Sequence, residues 1–180
     1  MASASRFSVT FPEFLLEAYG KPVAEIGPED LEKIRYLKIE KEGAYRFSYS
    51  FADPYDYPDL DAFQDMVRTV EVKGSSDDFS PTNVQYFTGL TKLELYVDAW
   101  ENYVLPEENG IRSISCTDGL SRYGTPRFFE DVDPERLEEV TILEADQLTD
   151  FSFMEDLRKV RRLTLSGAVL KDVDMFQGFD

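Results

Sequence analysis

Apolar residues recur along the chain in a fixed frame, in which one apolar residue is followed three places later by two more that are separated by one polar position. The frame occurs six times, in the segments IRYLKI (34–39), VRTVEV (67–72), LTKLEL (90–95), IRSISC (111–116), LEEVTI (137–142) and VRRLTL (160–165). Alternation of this kind is typical of a short strand with one buried face. The pattern therefore predicts six strands.

The frames are spaced regularly. Successive frames begin 33, 23, 21, 26 and 23 residues apart. In addition, the segments 148–157 and 170–179 have apolar residues at the same five places and share an aspartate at the third, at an offset of 22 residues. A period of about 20 to 29 residues is typical of leucine-rich repeats. After most strands we expect a turn, a short helix or a 3₁₀ segment that returns the chain to the same edge.

These frames and the segments 148–157 and 170–179 resemble the internalin-like bacterial leucine-rich-repeat proteins, whose units are near 22 residues. The resemblance is best over residues 79–179. It implies an α/β fold, a leucine-rich-repeat solenoid formed as a right-handed coil of βα or β-3₁₀ units with a parallel sheet. The asparagine usual in that family, three places after the second strand leucine, is replaced here, so we expect irregular repeats. That column contains Glu42, Ser75, Asp98, Gly119, Ala145 and Ala168.

The beginning of the chain is similar to the helical amino-terminal cap of such proteins. In TFPEFLLEAYG (10–20) the apolar residues fall on one helical face and Gly20 follows as a stop. Pro28 is placed to begin a second helix. We expect one domain over residues 1–180, divided into a cap at 1–35, repeats at 36–166 with an insert at 43–62, and a terminal partial repeat at 167–180.

The oversized first spacing contains AYRFSYSF (44–51), in which aromatic residues alternate with small or polar ones. This alternation predicts an additional strand, and we favour an aromatic face that covers the core over an exposed recognition strip. An acidic loop follows, with Asp53, Asp56, Asp59 and Asp61. Its carboxylates are suited to a hard cation, but the spacing lacks the turn glycine and late glutamate of a calcium loop, so we predict no metal site.

Composition limits the chemistry that the chain can perform. Its 36 acidic and 19 basic residues give a formal charge of -17, which disfavours nucleic acid and anionic membrane surfaces as partners. There is no histidine and a single cysteine, Cys116, so Ser-His-Asp and Cys-His systems and an intrachain disulfide are excluded. No glycine-rich phosphate loop is evident and no pair of acids stands out. We predict a protein that is not an enzyme and has no cofactor.

The function implied by the family resemblance is non-catalytic binding of a protein or peptide through polar strand positions on the concave side of the coil. The alternative is a carboxylate-dependent enzyme, or a regulatory subunit of one, with a cleft between the cap and the aromatic insert. The candidate binding residues are Tyr36, Lys38, Glu71, Lys73, Lys92, Glu94, Tyr96, Glu139 and Arg162.

The last expectations concern location and the end of the chain. No segment has the length of a membrane span or the form of a signal peptide, so we expect a cytoplasmic protein, or an exported one if a leader preceded it. Leu163 and Leu165 should be buried and Thr164 exposed. Residues 170–179 should cover the open end of the coil or pair with a second copy in a homodimer, unless the natural chain continues beyond Asp180.

Overall fold

The computed structural model describes residues 10–73, 81–96, 103–117, 129, 131–145, 148 and 151–167. Within these ranges seven strands form one mixed sheet in the order β3-β2-β1-β4-β5-β6-β7. The strands are β1 (Tyr36–Glu42), β2 (Ala44–Ser50), β3 (Arg68–Val72), β4 (Lys92–Tyr96), β5 (Ser113–Thr117), β6 (Glu139–Leu143) and β7 (Arg162–Leu165).

Strands β1, β4, β5, β6 and β7 are parallel and in register, so the apolar residues of the frame form continuous rows. One row is Leu37, Leu93, Ile114, Val140, Leu163, and the next is Ile39, Leu95, Cys116, Ile142, Leu165. The rows are fully buried through β6, while Leu163 and Leu165 are half-buried. Thr164 is exposed, which confirms the predicted register of β7 and corrects the predicted full burial of its leucines.

The other end of the sheet is antiparallel. Gly43, at a φ of 81° that favours glycine, turns the chain in a tight hairpin, and β2 runs back along β1 in the register Ile39–Phe47. Strand β3 then pairs antiparallel with β2. Tyr45, Phe47 and Tyr49 of β2 are buried, as are Ser48 and Ser50, so the predicted strand and a buried face with these three rings are confirmed. Phe51, beyond the end of β2, is 40% exposed.

The predicted leucine-rich-repeat solenoid with a parallel sheet is wrong. The molecule is a small α/β domain with few helices and one mixed sheet. Strand β2 pairs antiparallel with β1 and β3, whereas β1, β4, β5, β6 and β7 are parallel. The error has a local cause, because the frame at 67–72 was assigned to a parallel unit. An apolar-polar alternation of period two does not specify the neighbouring strand, and the hairpin at Gly43 places β2 between β1 and β3, so that β3 runs in the direction of β1 but pairs antiparallel with β2.

Helix α1 (Thr10–Tyr19) packs on the apolar side of the sheet, next to β2 and β3. Phe11, Phe14, Leu15 and Ala18 are buried and Gly20 has a φ of 65°, as the sequence predicts for this helix and its stop. Helix α2 (Pro28–Leu31) begins at the predicted proline, and α3 (Leu60–Gln64) lies in the segment between β2 and β3. Short 3₁₀ turns occupy Val23–Glu25, Pro54–Asp56, Pro81–Tyr86 and Ser152–Met154.

The predictions for residues 170–179, whether cap, dimer contact or continuation, lie outside the described residues. The division of the chain into cap, repeats, insert and terminal unit likewise stays a prediction.

Candidate functional site

Most polar residues of the strands share the face of the sheet opposite to helix α1, which we call the polar face; Lys41 and Arg68 lie on the other face. Eight of the nine predicted binding residues are strand residues on this face, and Lys73 follows the end of β3 at the same parity. Their exposure differs widely, from 5% for Tyr36 to an exposed Arg162. The structure brings the predicted residues together but leaves only part of this surface open.

On β1, β2, β4, β6 and β7, the charges of the polar face are paired with one another. Glu40 accepts from Lys38 at 2.5 Å and from Arg46 at 2.8 Å. Burial alone would raise the pKa of the Glu40 carboxyl, but these two cations outweigh burial and hold the pKa below its usual value. Further pairs join Lys92 to Glu94 and Arg162 to Glu139. Neighbouring opposite charges cancel at short range, so the face presents polar groups with little net field.

Tyr96 is the aromatic residue at the open part of the polar face. Its ring is half-buried, and the Lys38 ammonium lies 5.4 Å from the ring centroid, within range of a cation–π contact. Burial and the nearby Glu94 carboxylate raise the pKa of the Tyr96 hydroxyl to about 12. The side chain is therefore a neutral phenol that contacts Lys38 at the end of β4.

Residues 51–67, between β2 and β3, fold over the polar face at the amino-terminal edge of the parallel strands, and we call them the cover segment. Phe63 is buried against Tyr36, with ring centroids 5.4 Å apart in an edge-to-face arrangement. Tyr57 also packs against Phe63, with ring centroids 5.7 Å apart. Sequence reasoning placed Tyr36 in the binding surface, but the cover segment makes it part of the interior.

A second polar cluster lies where the chain enters the parallel strands. The residue before each of the strands β4 to β7 donates a backbone N–H hydrogen bond to the carbonyl of the residue before the preceding parallel strand. The donor and acceptor pairs are Thr91 and Arg35, Arg112 and Thr91, Glu138 and Arg112, and Arg161 and Glu138, at 2.7 to 2.8 Å. These residues occupy the second position of the sequence frame. They were missed by sequence reasoning, although their polar character at a constant position was the available signal.

The side chains of this edge attach the cover segment to the sheet. The Arg112 guanidinium donates two hydrogen bonds to the Glu138 carboxylate, at 3.1 and 3.0 Å, and lies 3.8 Å from the centroid of the Tyr55 ring. The bonds to Glu138 raise the pKa of Arg112. Burial raises the pKa of the Tyr55 hydroxyl to about 12, so the stacked ring is neutral.

Asp53 forms the other attachment of the cover segment. Its carboxylate accepts from the Arg35 guanidinium at 2.8 Å and from the Tyr55 amide at 3.1 Å, and Thr91 Oγ1 lies at 3.1 Å. Burial raises the pKa of Asp53, but these donors outweigh it and hold the pKa below its ordinary value. Asp59 caps α3 through the Ala62 amide. These two acids of the loop therefore act as structural acceptors.

Two clefts adjoin this edge and share Glu108, Asn109 and Arg136 in their walls. The smaller, of about 400 Å³, lies between the cover segment and the segments before β4 and β5. The larger, of about 660 Å³, lies between residues 104–109 and 131–136, which lead into β5 and β6. No residue of α1 lines either cleft, but the smaller one has walls from both the predicted cap, at Glu32 and Arg35, and the predicted insert, at Asp53. The enzyme alternative therefore stays a prediction.

The described part of the chain contains no cluster of three or more acidic, cysteine or histidine side chains that could hold a metal ion. The helices within the described ranges are too short and too polar to cross a lipid bilayer.

A scan against protein-family models matched none, and a search of curated proteins found no match. The resemblance to internalin-like repeats therefore stays a prediction from the sequence.

Proposed function

We propose that this protein is a non-catalytic module that binds a protein or peptide partner through the open part of the polar face, centred on Tyr96. The observation that carries the proposal is the arrangement of this side chain. A neutral aromatic ring is half-exposed on a rigid strand, beside Lys38, with the surrounding ion pairs already formed. Large amphipathic rings of this kind supply much of the affinity when a partner buries them.

The surroundings of Tyr96 support binding in two ways. The ring is held by Lys38, and Lys38 is held by Glu40, so little side-chain entropy is lost when a partner docks. On the far side, β6 and β7 present hydroxyl groups at the matched positions Thr141 and Thr164, whereas Ser115 of β5 is buried. Hydroxyl groups both donate and accept, so they suit the polar backbone and side chains of a protein surface.

The contact is tested by placing a photo-crosslinking amino acid at Thr164, on the polar face, and in a second protein at Glu17, which is exposed on α1. A partner recovered from source-cell extract with the first protein and absent with the second is then purified for titration. With that partner, Tyr96→Ala should weaken binding by about 1 kcal/mol or more.

The matched control is Phe51→Ala, which removes an aromatic ring that is 40% exposed and packs against Tyr19 and Tyr49, away from Tyr96. It should leave the affinity within about twofold. Equal losses from the two substitutions, or an unchanged affinity of a folded Tyr96→Ala protein, would show that the proposed surface is wrong.

A further inference from the structure

The larger cleft, between residues 104–109 and 131–136, has the form of a groove with a firm frame. Asn109 connects its two walls, because its side-chain amide donates to the Pro106 carbonyl at 3.0 Å and to the Asp131 carbonyl at 2.9 Å. The Asn109 side-chain oxygen also accepts from the Ile111 amide at 3.3 Å. The groove is therefore a built part of the fold, with walls that are fixed to each other.

The groove combines an apolar floor with an acidic rim. Val104, Leu105 and Val132 supply the apolar surface; Leu105 and Val132 are buried and Val104 is half-buried. Four carboxylates line it against one guanidinium, namely Glu107, Glu108, Asp131, Asp133 and Arg136. Asp133 pairs with Arg136 at 3.2 Å, so within the described residues the other three carboxylates carry the net charge of the groove.

We propose that this groove binds a short, extended, lysine- or arginine-bearing segment of a partner protein. The aliphatic stems of such side chains would lie on Val104 and Leu105 while their cationic heads meet Glu107, Glu108 and Asp131. Charge complementarity selects this occupant, since an acidic or purely apolar segment would leave three carboxylates desolvated and unpaired. The formal charge of -17 on the whole chain adds attraction at long range.

Arg136 gives the site a direction. Its guanidinium pairs with Asp133 and extends towards Gly110, where a Cβ atom would lie 3.5 Å from Arg136 Nη1. Arg136 contributes to the walls of both clefts. A cationic segment would therefore end at Arg136 rather than continue into the smaller cleft. The inference does not depend on the polar face, which carries the function proposed above.

The test uses acetylated and amidated octalysine as the probe, titrated by calorimetry against the full chain at low and at moderate salt. A protein of this charge attracts any cation, so the decisive comparison is between two variants of equal net charge. Glu107→Gln with Glu108→Gln alters the rim, and Glu13→Gln with Glu17→Gln removes the same charge from exposed positions of α1. We expect about a tenfold loss of affinity for the first and less than about twofold for the second.

Two single changes test the floor and the direction. Val104→Ser leaves the charge unchanged and should weaken octalysine binding about threefold, because it removes apolar surface from the floor. Arg136→Gln should strengthen binding about threefold, because it removes the opposing cation. Thermal melting establishes that each variant is folded. Equal losses from the groove and α1 pairs, or weaker binding by Arg136→Gln, would overturn the proposal.

Discussion

At the antiparallel end of the sheet, helix α1 packs on β2 and β3 through aromatic rings. At the parallel end the inward strand positions are aliphatic, and the aromatic rings Phe129, Phe151 and Phe153 come from segments between the strands. Phe14 stacks on Phe47 with centroids 4.8 Å apart, and Phe11 meets Phe47 edge to face at 5.6 Å. Among the described strands β4 to β7, the inward positions hold only Leu, Ile, Val and Cys116. Large rings fill the wide space under a helix, while short aliphatic rows suit a sheet covered by closely packed turns.

The difference shows that one sheet can be stabilised in two ways. The aromatic end relies on a few large contacts between segments distant in sequence, so a single deletion leaves a large cavity. The parallel end relies on repeated rows in which each strand covers its neighbours, so a deletion is felt mainly by adjacent strands. The energetic consequence of a mutation should therefore depend on the end of the sheet at which it is made.

The largest effect is expected at Phe47, where α1, β1 and β3 meet. Phe47→Ala should lower the free energy of unfolding by about 3 to 5 kcal/mol, because the side chain is fully buried between Phe11 and Phe14. Denaturant titration measures the loss, with Phe51→Ala, at a 40% exposed ring, as the control. A loss under about 1 kcal/mol at Phe47 would remove the distinction between the two ends.

The next effect concerns Asp30, which is buried in helix α2. It accepts from Lys21 at 2.6 Å, from the Gly27 amide at 3.1 Å and from Lys33 at 3.2 Å, and these contacts, led by Lys21, lower its pKa to about 2. A folded pKa below the unfolded value of 3.8 means that the stabilisation is present above pH 4 and disappears as the pH falls towards 2.

Asp30→Asn keeps an acceptor for the Gly27 amide but removes the charge. It should lower the free energy of unfolding by about 2 kcal/mol at pH 7, and the difference from the parent protein should shrink between pH 4 and 2. Urea titrations across that range measure it, with exposed Asp56→Asn as the reference. A difference that stays constant with pH would mean that the ion pairs contribute nothing.

Leu163 provides the smaller change at the parallel end. Because the side chain is only half-buried on the last described strand, Leu163→Ala should cost about 1 kcal/mol, less than a fully buried leucine. Leu93→Ala, in the same row but fully buried, is the matched comparison and should cost about 2 to 5 kcal/mol. Equal losses at the two positions would indicate that Leu163 is more enclosed than its exposure implies.

The smallest effect is expected at the attachment of the cover segment. Arg112→Lys removes the two-pronged contact with Glu138 and the planar stack on Tyr55, and should cost less than about 1 kcal/mol because the groups are partly exposed. A double-mutant cycle with Tyr55→Leu should give a coupling of about 0.5 kcal/mol. A coupling of zero would mean that the ring and guanidinium are adjacent without stabilising each other.

Short-range pattern predicted much of this fold. All six frames are strands, and the alternation in AYRFSYSF predicted β2 and its buried face, because side-chain parity is decided by neighbouring residues. The pairing of the frame at 67–72 was wrong because the pattern of alternation encodes neither the neighbour of a strand nor the direction of that neighbour. One turn glycine, Gly43, determines that direction instead.

The candidate surface was less accessible from sequence. The alternation of side chains along each strand placed the predicted binding residues on one face of the sheet correctly. It could not show that Phe63 would cover Tyr36, since that contact joins segments 27 residues apart. The edge formed by Arg35, Arg112 and Glu138 has a constant place in the frame and could have been found. The groove beside Asn109 could not, because it arises from two irregular segments whose separation only the folded chain fixes.

The tight turn at Gly43 also has a consequence for how such a domain can change in length. It places the antiparallel hairpin, covered by α1, at one side of the sheet. On the other side, the residue before each of the strands β4 to β7 makes the same backbone hydrogen bond to the residue before the preceding parallel strand. Duplicating a strand and its return segment there would reproduce contacts that the molecule already makes. Lengthening of the sheet by duplication is thus favoured at the β7 side, while the hairpin side stays unchanged.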